Sequence, residues 1–332
     1  MSAKVKFWGV RGSIPAPLTA SDVQKKLAGA LSRHMQNLSL SIPKFLANEA
    51  AQAPFTYGGN TSCVEVTCEG IRYIFDLGTG ARPLGNSLFP QMIKDGGLQI
   101  VFVISHVHWD HIQGLPFFGP LYASKHKGFE NKWTFLGGTL WQKTAEVCLA
   151  GQMDAPTFPV SWQEIRLLTH SMEFKDVHDG MSFQESKDSP VVTFGKLNHP
   201  QETYGSRMIL PDGKVIVYAT DNEPYDPMEP DPRLIALVKG ADLWIADCQY
   251  TKDQYNGKEG GVNRHGWGHS YPEALAATAL QAEAKHLVLF HHDPASSDER
   301  ITGVRAYTEN LIRTYGGATK VTAAWEGLEL SV

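Results

Sequence analysis

The chain has 332 residues, a formal net charge of −5, 42% apolar and 20% charged residues, and 13 histidines. This length buries a sizeable core without disulfides, the apolar fraction excludes a disordered chain, and no apolar run approaches the roughly 18 residues of a membrane span. The acidic balance argues against a generic nucleic-acid binder, which needs a basic field to neutralise phosphates. The start, Met1-Ser2-Ala3-Lys4-Val5, lacks the apolar region of a signal peptide and predicts a cytoplasmic protein. In chain order, β-rich runs fall at 5–10, 63–67, 71–75, 98–104, 191–197, 215–220, 243–246 and 287–290. Helical spacing separates several of them, as at 274–284, which predicts an α/β layered architecture.

Two segments read as additions to that core. Residues 15–56 hold Thr19-Ala20-Ser21 as an N-cap, then Val23, Leu27, Leu31 and Met35 at four-residue spacing, which predicts one or two surface helices. Residues 120–190 mix aromatics, Gly, Pro and charge without a clean period and read as loops with short helices. Cys63, Cys68, Cys148 and Cys248 form no C-x-x-C pair and read as reduced, mostly buried thiols.

Several apolar runs end abruptly in His or Asp: Asp76 after 71–75, Ser105-His106 after 98–104, Asp221 after 215–220 and His291 after 287–290. Ligand sites of α/β folds gather at the carboxyl ends of strands. The sharpest feature is Ser105-His106-Val107-His108-Trp109-Asp110-His111. In an extended segment, residues i and i+2 point the same way, so His106 and His108 can face one ion. A turn at Trp109 then swings Asp110 and His111 toward a second. Neutral imidazole and carboxylate are the donors expected for zinc, and the same set suits manganese or iron. A surface cluster of histidines would not ordinarily follow an apolar strand and precede Ile112-Gln113-Gly114-Leu115-Pro116-Phe117-Phe118.

This H-x-H-x-D-H run resembles the metallo-β-lactamase-fold hydrolases, and Gly114-Leu115-Pro116 points to their RNase Z-like, phosphodiesterase branch. The resemblance extends over most of the chain. It includes Gly9-Val10-Arg11-Gly12-Ser13-Ile14-Pro15, Tyr57-Gly58-Gly59-Asn60-Thr61-Ser62 and Phe75-Asp76-Leu77-Gly78-Thr79-Gly80, then Leu197-Asn198-His199-Pro200, Tyr218-Ala219-Thr220-Asp221 and Leu289-Phe290-His291-His292-Asp293. It implies a four-layer αβ/βα sandwich, one catalytic domain over 1–332 enlarged at 15–56 and 120–190, and a homodimer. It also implies two divalent metal ions, first of all zinc. His106, His108 and His199 would hold the first ion, and Asp110, His111 and His291 the second. Asp221 would bridge them. His292 competes with His291, which is preferred as the first residue after its strand. Asp110 and His269 are the catalytic candidates. His269 in His269-Ser270-Tyr271-Pro272-Glu273 resembles the branch's proton-donating histidine, and Ser270 and Glu273 form an S-x-x-E capping box that would start a helix beside it. Asp76 would support the ligand loop by hydrogen bonding, whereas Asn60 and Asp247 read as structural. His265 reads as a solvated loop residue, and His34, His126, His170, His178 and His286 have no motif around them.

The implied function is a binuclear metal-dependent phosphodiesterase. It would cleave a small phosphodiester such as a 3′,5′-cyclic nucleotide by attack of metal-activated hydroxide. A tRNA 3′-processing endonuclease is the first alternative. Against it, the stretch after the first motif offers Lys125, Lys127 and Lys132 beside Glu130, Glu146, Asp154, Glu164, Glu173, Asp176 and Asp179. A thioester or lactone hydrolase is the second. A metal-binding scaffold without catalysis is the non-enzyme reading.

Overall fold

A computed structural model describes residues 3–36, 38–52, 54–225 and 229–332. The strands are β1 (Lys4–Gly9), β2 (Cys63–Cys68), β3 (Ile71–Phe75), β4 (Gln99–Val103), β5 (Lys132–Gly138), β6 (Ser171–Val177), β7 (Ser182–Gln184), β8 (Val191–Lys196), β9 (Tyr204–Ile209), β10 (Val215–Ala219), β11 (Leu243–Asp247), β12 (His286–Phe290), β13 (Lys320–Ala323) and β14 (Glu329–Ser331). The α-helices are α1 (Ala20–Met35), α2 (Ile42–Gln52), α3 (Ala81–Asp95), α4 (Trp109–Ile112), α5 (Ala145–Ala150), α6 (Trp162–Leu168), α7 (Pro232–Val238), α8 (Lys252–Tyr255), α9 (Pro272–Ala282) and α10 (Asp298–Thr314).

The strands form two seven-stranded mixed sheets, ordered β14-β1-β2-β3-β4-β5-β6 and β13-β12-β11-β10-β9-β8-β7. Strand periodicity assigns their faces. On β3, Tyr73 and Phe75 point into a core shared with Tyr218, Ile245, Val288 and Phe290 of the second sheet. Ile74, between them, points outward to Leu84, Leu88 and Met92 of α3. On β11, Ile245 faces the same central core, while Trp244 and Ala246 pack outward with Leu275 and Ala279 of α9 and Ile312 of α10. Helix, sheet, sheet and helix are therefore stacked, which is the four-layer αβ/βα sandwich expected.

The parallel strands β10, β11 and β12 are in register through Ala219, Ala246 and Leu289. Asp221 and His291 each lie two residues beyond that row, so strand pairing brings them level. Strands β8 and β10 are each antiparallel to β9, so both end at the same edge. At that edge the amide of Tyr204 donates to the carbonyl of Ser105 at 3.0 Å, tying the sheets together where the His-rich loop begins.

The segment 120–190 differs from expectation. It contains β5, β6 and β7, and β5 lies inside the first sheet between β4 and β6. Phe135 stacks on Phe102 and on Phe174, both with centroids 4.6 Å apart. A strand covered on both faces shows no polar alternation, so Trp133 to Gly138 carries no period to read. Segment 15–56 does form two helices, and Thr19 caps the first in a capping box with Asp22. Val23, Leu27, Leu31 and Met35 are all more than half exposed. Positions 37 and 53 lie outside the described residues. All four cysteines are free. Among the described residues, no helix is long and apolar enough to cross a membrane.

Candidate metal centre

Seven side chains from both sheets converge at the shared edge. Around His108 Nδ1 lie His106 Nε2 at 3.0 Å and His199 Nε2 at 3.1 Å. The Nε2 atoms of His111 and His291 are 3.1 Å apart, and both approach Asp110 Oδ2, at 3.3 and 2.9 Å. Asp221 stands between the two groups. Its Oδ2 is 3.6 Å from His106 Nε2, 3.8 Å from His199 Nε2 and 3.5 Å from His111 Nε2, while its Oδ1 is 3.4 Å from His291 Nε2. Of the two adjacent histidines, His291 joins the cluster. His292 turns away to the carbonyl of Ala324, 2.9 Å from its Nε2.

The rear of four of the five imidazoles explains their orientation. His111 Nδ1 is 2.7 Å from Asp76 Oδ2, His106 Nδ1 is 3.1 Å from Ser105 Oγ, His199 Nδ1 is 3.1 Å from the carbonyl of Gly268, and His291 Nδ1 is 3.2 Å from Gln249 Oε1. A ring that donates rearward presents an unprotonated nitrogen inward, the form that ligates a metal. Asp76 also accepts from the Ser105 amide and hydroxyl and from Tyr218 Oη, at 2.8, 2.8 and 2.7 Å. It supports the loop as expected. Asn60 bonds Glu326, a structural contact.

The donors fit divalent ions. Atoms about 2.0–2.2 Å from one tetrahedral centre lie roughly 3.3–3.6 Å from each other, and the separations above bracket that range. Burial lowers His106 and His108 below the usual imidazole value and takes His199 down to about 4, so these rings are neutral. Burial alone would raise Asp110 and Asp221, yet the neighbouring imidazoles hold both carboxylates well below their usual range. Against its burial, the same carboxylates raise His111 above its usual value, so this half of the cluster is built to share positive charge with buried carboxylates.

Backbone strain is concentrated here. Ser13, Asp76, Asp221 and His291 all adopt left-handed φ, between 56° and 64°, a conformation that costs a non-glycine residue about 1–3 kcal/mol and recurs at functional sites. The amide of Ser13 donates to Asp110 Oδ2 at 2.7 Å, and its hydroxyl accepts from Gln249 Nε2 at 2.9 Å. A Cβ on Gly12 would sit 2.4 Å from the His291 ring, and one on Gly268 only 1.9 Å from His199 Nδ1.

His269 is buried with its Nδ1 3.9 Å from Asp221 Oδ2 and 3.5 Å from Asp247 Oδ2. Burial would lower this imidazole, but Asp247 and Asp221 raise it above its ordinary value. Asp247, read as structural from the sequence, thus faces His269 and also accepts from the Ser270 amide at 2.7 Å. The expected capping box is absent. Tyr271 is the N-cap of α9 without a side-chain cap bond, Pro272 occupies the first turn, and Glu273 accepts from Tyr307. With the Ser270 amide committed to Asp247, the chain at 270 is held to the strand end rather than to the helix. His265 lies outside the cluster, exposed and stacked on Tyr255 at 4.2 Å.

Sequence reasoning assigned no role to Gln249 or Glu223. Glu223 is buried and accepts from the amides of Gly266 and Gly268, both at 2.8 Å, and from Tyr255 Oη. It thereby fixes the carbonyl on which His199 rests. Gln249 lies just past the end of β11, so the same strand-end signal that marks Asp221 applied to it.

The family model for the beta-lactamase superfamily domain matches residues 72–292, and the chain belongs to that superfamily. Its sandwich is the metallo-β-lactamase fold. Ribonuclease Z of Staphylococcus carnosus is 29% identical over 191 residues, covering 56% of this chain and 55% of that protein. The chain therefore spans about half the length of that relative. The solved structure of the metallo-beta-lactamase fold protein YhfI from Bacillus subtilis superposes with a TM-score of 0.61 at 15% identity, covering all of both chains. Unliganded yeast PDE1 gives 0.64 at 12% identity, over 100% of this chain and 99% of the other. At these identities the two structures speak to the fold alone.

Proposed function

We propose that the chain is a metal-dependent hydrolase that cleaves a small phosphodiester, with 3′,5′-cyclic nucleotides the first class to test. The carrying observation is the pairing of two His/Asp donor sets around Asp221 with a buried imidazole, His269, 3.9 Å from that carboxylate. His106, His108 and His199 would hold one ion, Asp110, His111 and His291 the other, and Asp221 both. When bound, two divalent ions, zinc first, supply a lowered water pKa and a clamp on phosphoryl oxygens.

The chain's own groups supply the rest. Asp247 and Asp221 keep the proton on His269, and that proton would go to the leaving oxygen as its bond to phosphorus breaks. Asp110, held by the Ser13 amide, orients the second donor set toward the reacting centre. The name ribonuclease Z borne by the relative supports phosphodiester chemistry over thioester or lactone chemistry. It equally favours a second reading, a tRNA 3′-processing endonuclease. Against that reading, Lys132, Arg166 and Lys175 in the 120–190 stretch are each paired with a carboxylate, Glu185, Glu146 and Glu173. The same stretch carries nine Asp and Glu against seven Lys and Arg residues, a poor grip on a polyanion. The exposed apolar face of α1 supports a homodimer contact, and the cytoplasm fits four free cysteines.

Zinc- and manganese-loaded protein should turn over a panel of 3′,5′-cyclic nucleotides and bis(p-nitrophenyl) phosphate. No metal-dependent turnover on any member overturns the proposal. Cleavage of precursor tRNA with a steep salt dependence, without cyclic-nucleotide turnover, would install the second reading in its place.

A further inference from the structure

Two tryptophans at the rim have no part in the roles assigned so far. Trp109 stands between His108 and Asp110 and is 76% exposed. Trp267 stands two residues before His269 and is 48% exposed. Trp133 and Trp244, which pack in the outer cores, are fully buried. An indole left in water forgoes the gain of burying its apolar surface, so an exposed pair flanking the donor residues asks for a function.

Trp267 is a fixed residue. The amides on either side of it, Gly266 and Gly268, both donate to buried Glu223 at 2.8 Å. Positive φ at these two glycines, 80° and 85°, turns both amides toward one carboxylate. The Arg264 guanidinium lies 6.0 Å from the Trp267 ring and 4.9 Å from the Tyr250 ring, and it is itself held by the carbonyls of Gln254 and Val262 at 2.6 and 3.2 Å. Tyr250 connects the assembly to the site, with its ring 6.3 Å from Trp267 and 5.8 Å from His269. The backbone is clamped, the Tyr250 ring and the Arg264 guanidinium flank the indole, and about half of the residue stays open beside His269.

We infer that Trp267 is a specificity-determining residue, a shelf on which an aromatic ring of the substrate stacks while its phosphoryl group lies at the His/Asp cluster. Trp109, the first residue of α4, offers a second exposed indole on the side of the first sheet. The ligand class is a phosphate ester carrying a planar ring, a nucleobase above all. This inference rests on the phosphodiesterase reading and narrows it, because a base-free sugar phosphate would gain nothing from the shelf.

The test uses the full metal-loaded chain. Adenosine 5′-monophosphate and ribose 5-phosphate are titrated by calorimetry into wild type, Trp267→Ala, Trp267→Leu and Trp267→Phe, with bis(p-nitrophenyl) phosphate turnover and metal content measured on the same samples. Wild type should bind the nucleotide about 5- to 150-fold more tightly than the sugar phosphate, the range that base–aromatic stacking supplies. Trp267→Ala and Trp267→Leu should lose most of that ratio with metal content unchanged, and Trp267→Phe should keep most of it. Equal affinities in wild type, no binding of either compound, or a ratio that survives in both Trp267→Ala and Trp267→Leu overturns the shelf. Should Trp267→Ala fail to fold, Trp267→Leu, which keeps apolar bulk without a π face, decides. Nucleotide preference without turnover would sink the phosphodiesterase reading and leave the shelf standing. Turnover without preference would do the reverse.

Discussion

The two sheets build the site in different ways. The first delivers His106, His108, Asp110 and His111 within one turn after β4, and a single buried carboxylate, Asp76, serves both Ser105 and His111. The second delivers His199, Asp221 and His291 from the ends of three strands. Each of these has its own support: the Gly268 carbonyl, the Thr220 hydroxyl and the Gln249 amide. In the local half one carboxylate anchors the histidine loop, with the Ser13 amide on Asp110. The dispersed half is positioned by sheet register plus separate backstops.

This contrast can be broken at several points. The largest effect belongs to Asp221→Ala, which removes the carboxylate common to both donor sets. Loss of bound metal and of turnover is expected, read by elemental analysis and assay, and retention of both ions would contradict the shared role. His269→Ala comes next. It should slow turnover by about 10²- to 10⁴-fold, the usual worth of a general acid, with metal content intact; metal loss would instead make His269 a ligand beside Asp221 and His291.

Asp76→Asn and Gln249→Ala compare the two kinds of support directly. Removing such a partner costs about 10- to 100-fold in metal affinity. Asp76→Asn should weaken both ions, because Asp76 reaches His111 directly and His106 through Ser105. Gln249→Ala should weaken only the ion held by His291. Competition titrations with a chelating dye separate these outcomes, and equal weakening of both ions in Gln249→Ala would refute the separate backstops.

The smallest effect concerns pH. The folded value of His269 is raised, so its proton persists above the ordinary imidazole value near 6.5 and is lost as pH rises further. Turnover that needs that proton should therefore decline on the alkaline side. Asp247→Asn removes the nearest carboxylate and should move this decline to lower pH. An unmoved alkaline limb would show that Asp247 does not act through His269.

The same contrast accounts for what the sequence makes legible. The first half of the site reads directly, because its donors are five residues apart at most and follow an apolar strand. His199, Asp221 and His291 span 93 positions; strand ends mark Asp221 and His291, but their grouping with His199 in one site comes only through resemblance to a family, since strand register does not show in a sequence window. Asp247 and Gln249 stand at a strand end, yet like Glu223 they act through backbone amides or distant rings, partners that no local pattern announces. Strand β5 is hidden because both of its faces are buried. The pair Ser270 and Glu273 matches a capping box by spacing, but Asp247 takes the Ser270 amide and Tyr307 takes Glu273.

The two halves are inferred to meet in one two-ion site, and the metal content of the purified chain decides whether they do. Elemental analysis of wild type should give two divalent ions per chain, falling to one in His199→Ala and to one in His291→Ala. A wild-type chain that holds no stoichiometric metal after loading, or a single ion that survives both substitutions, would contradict it.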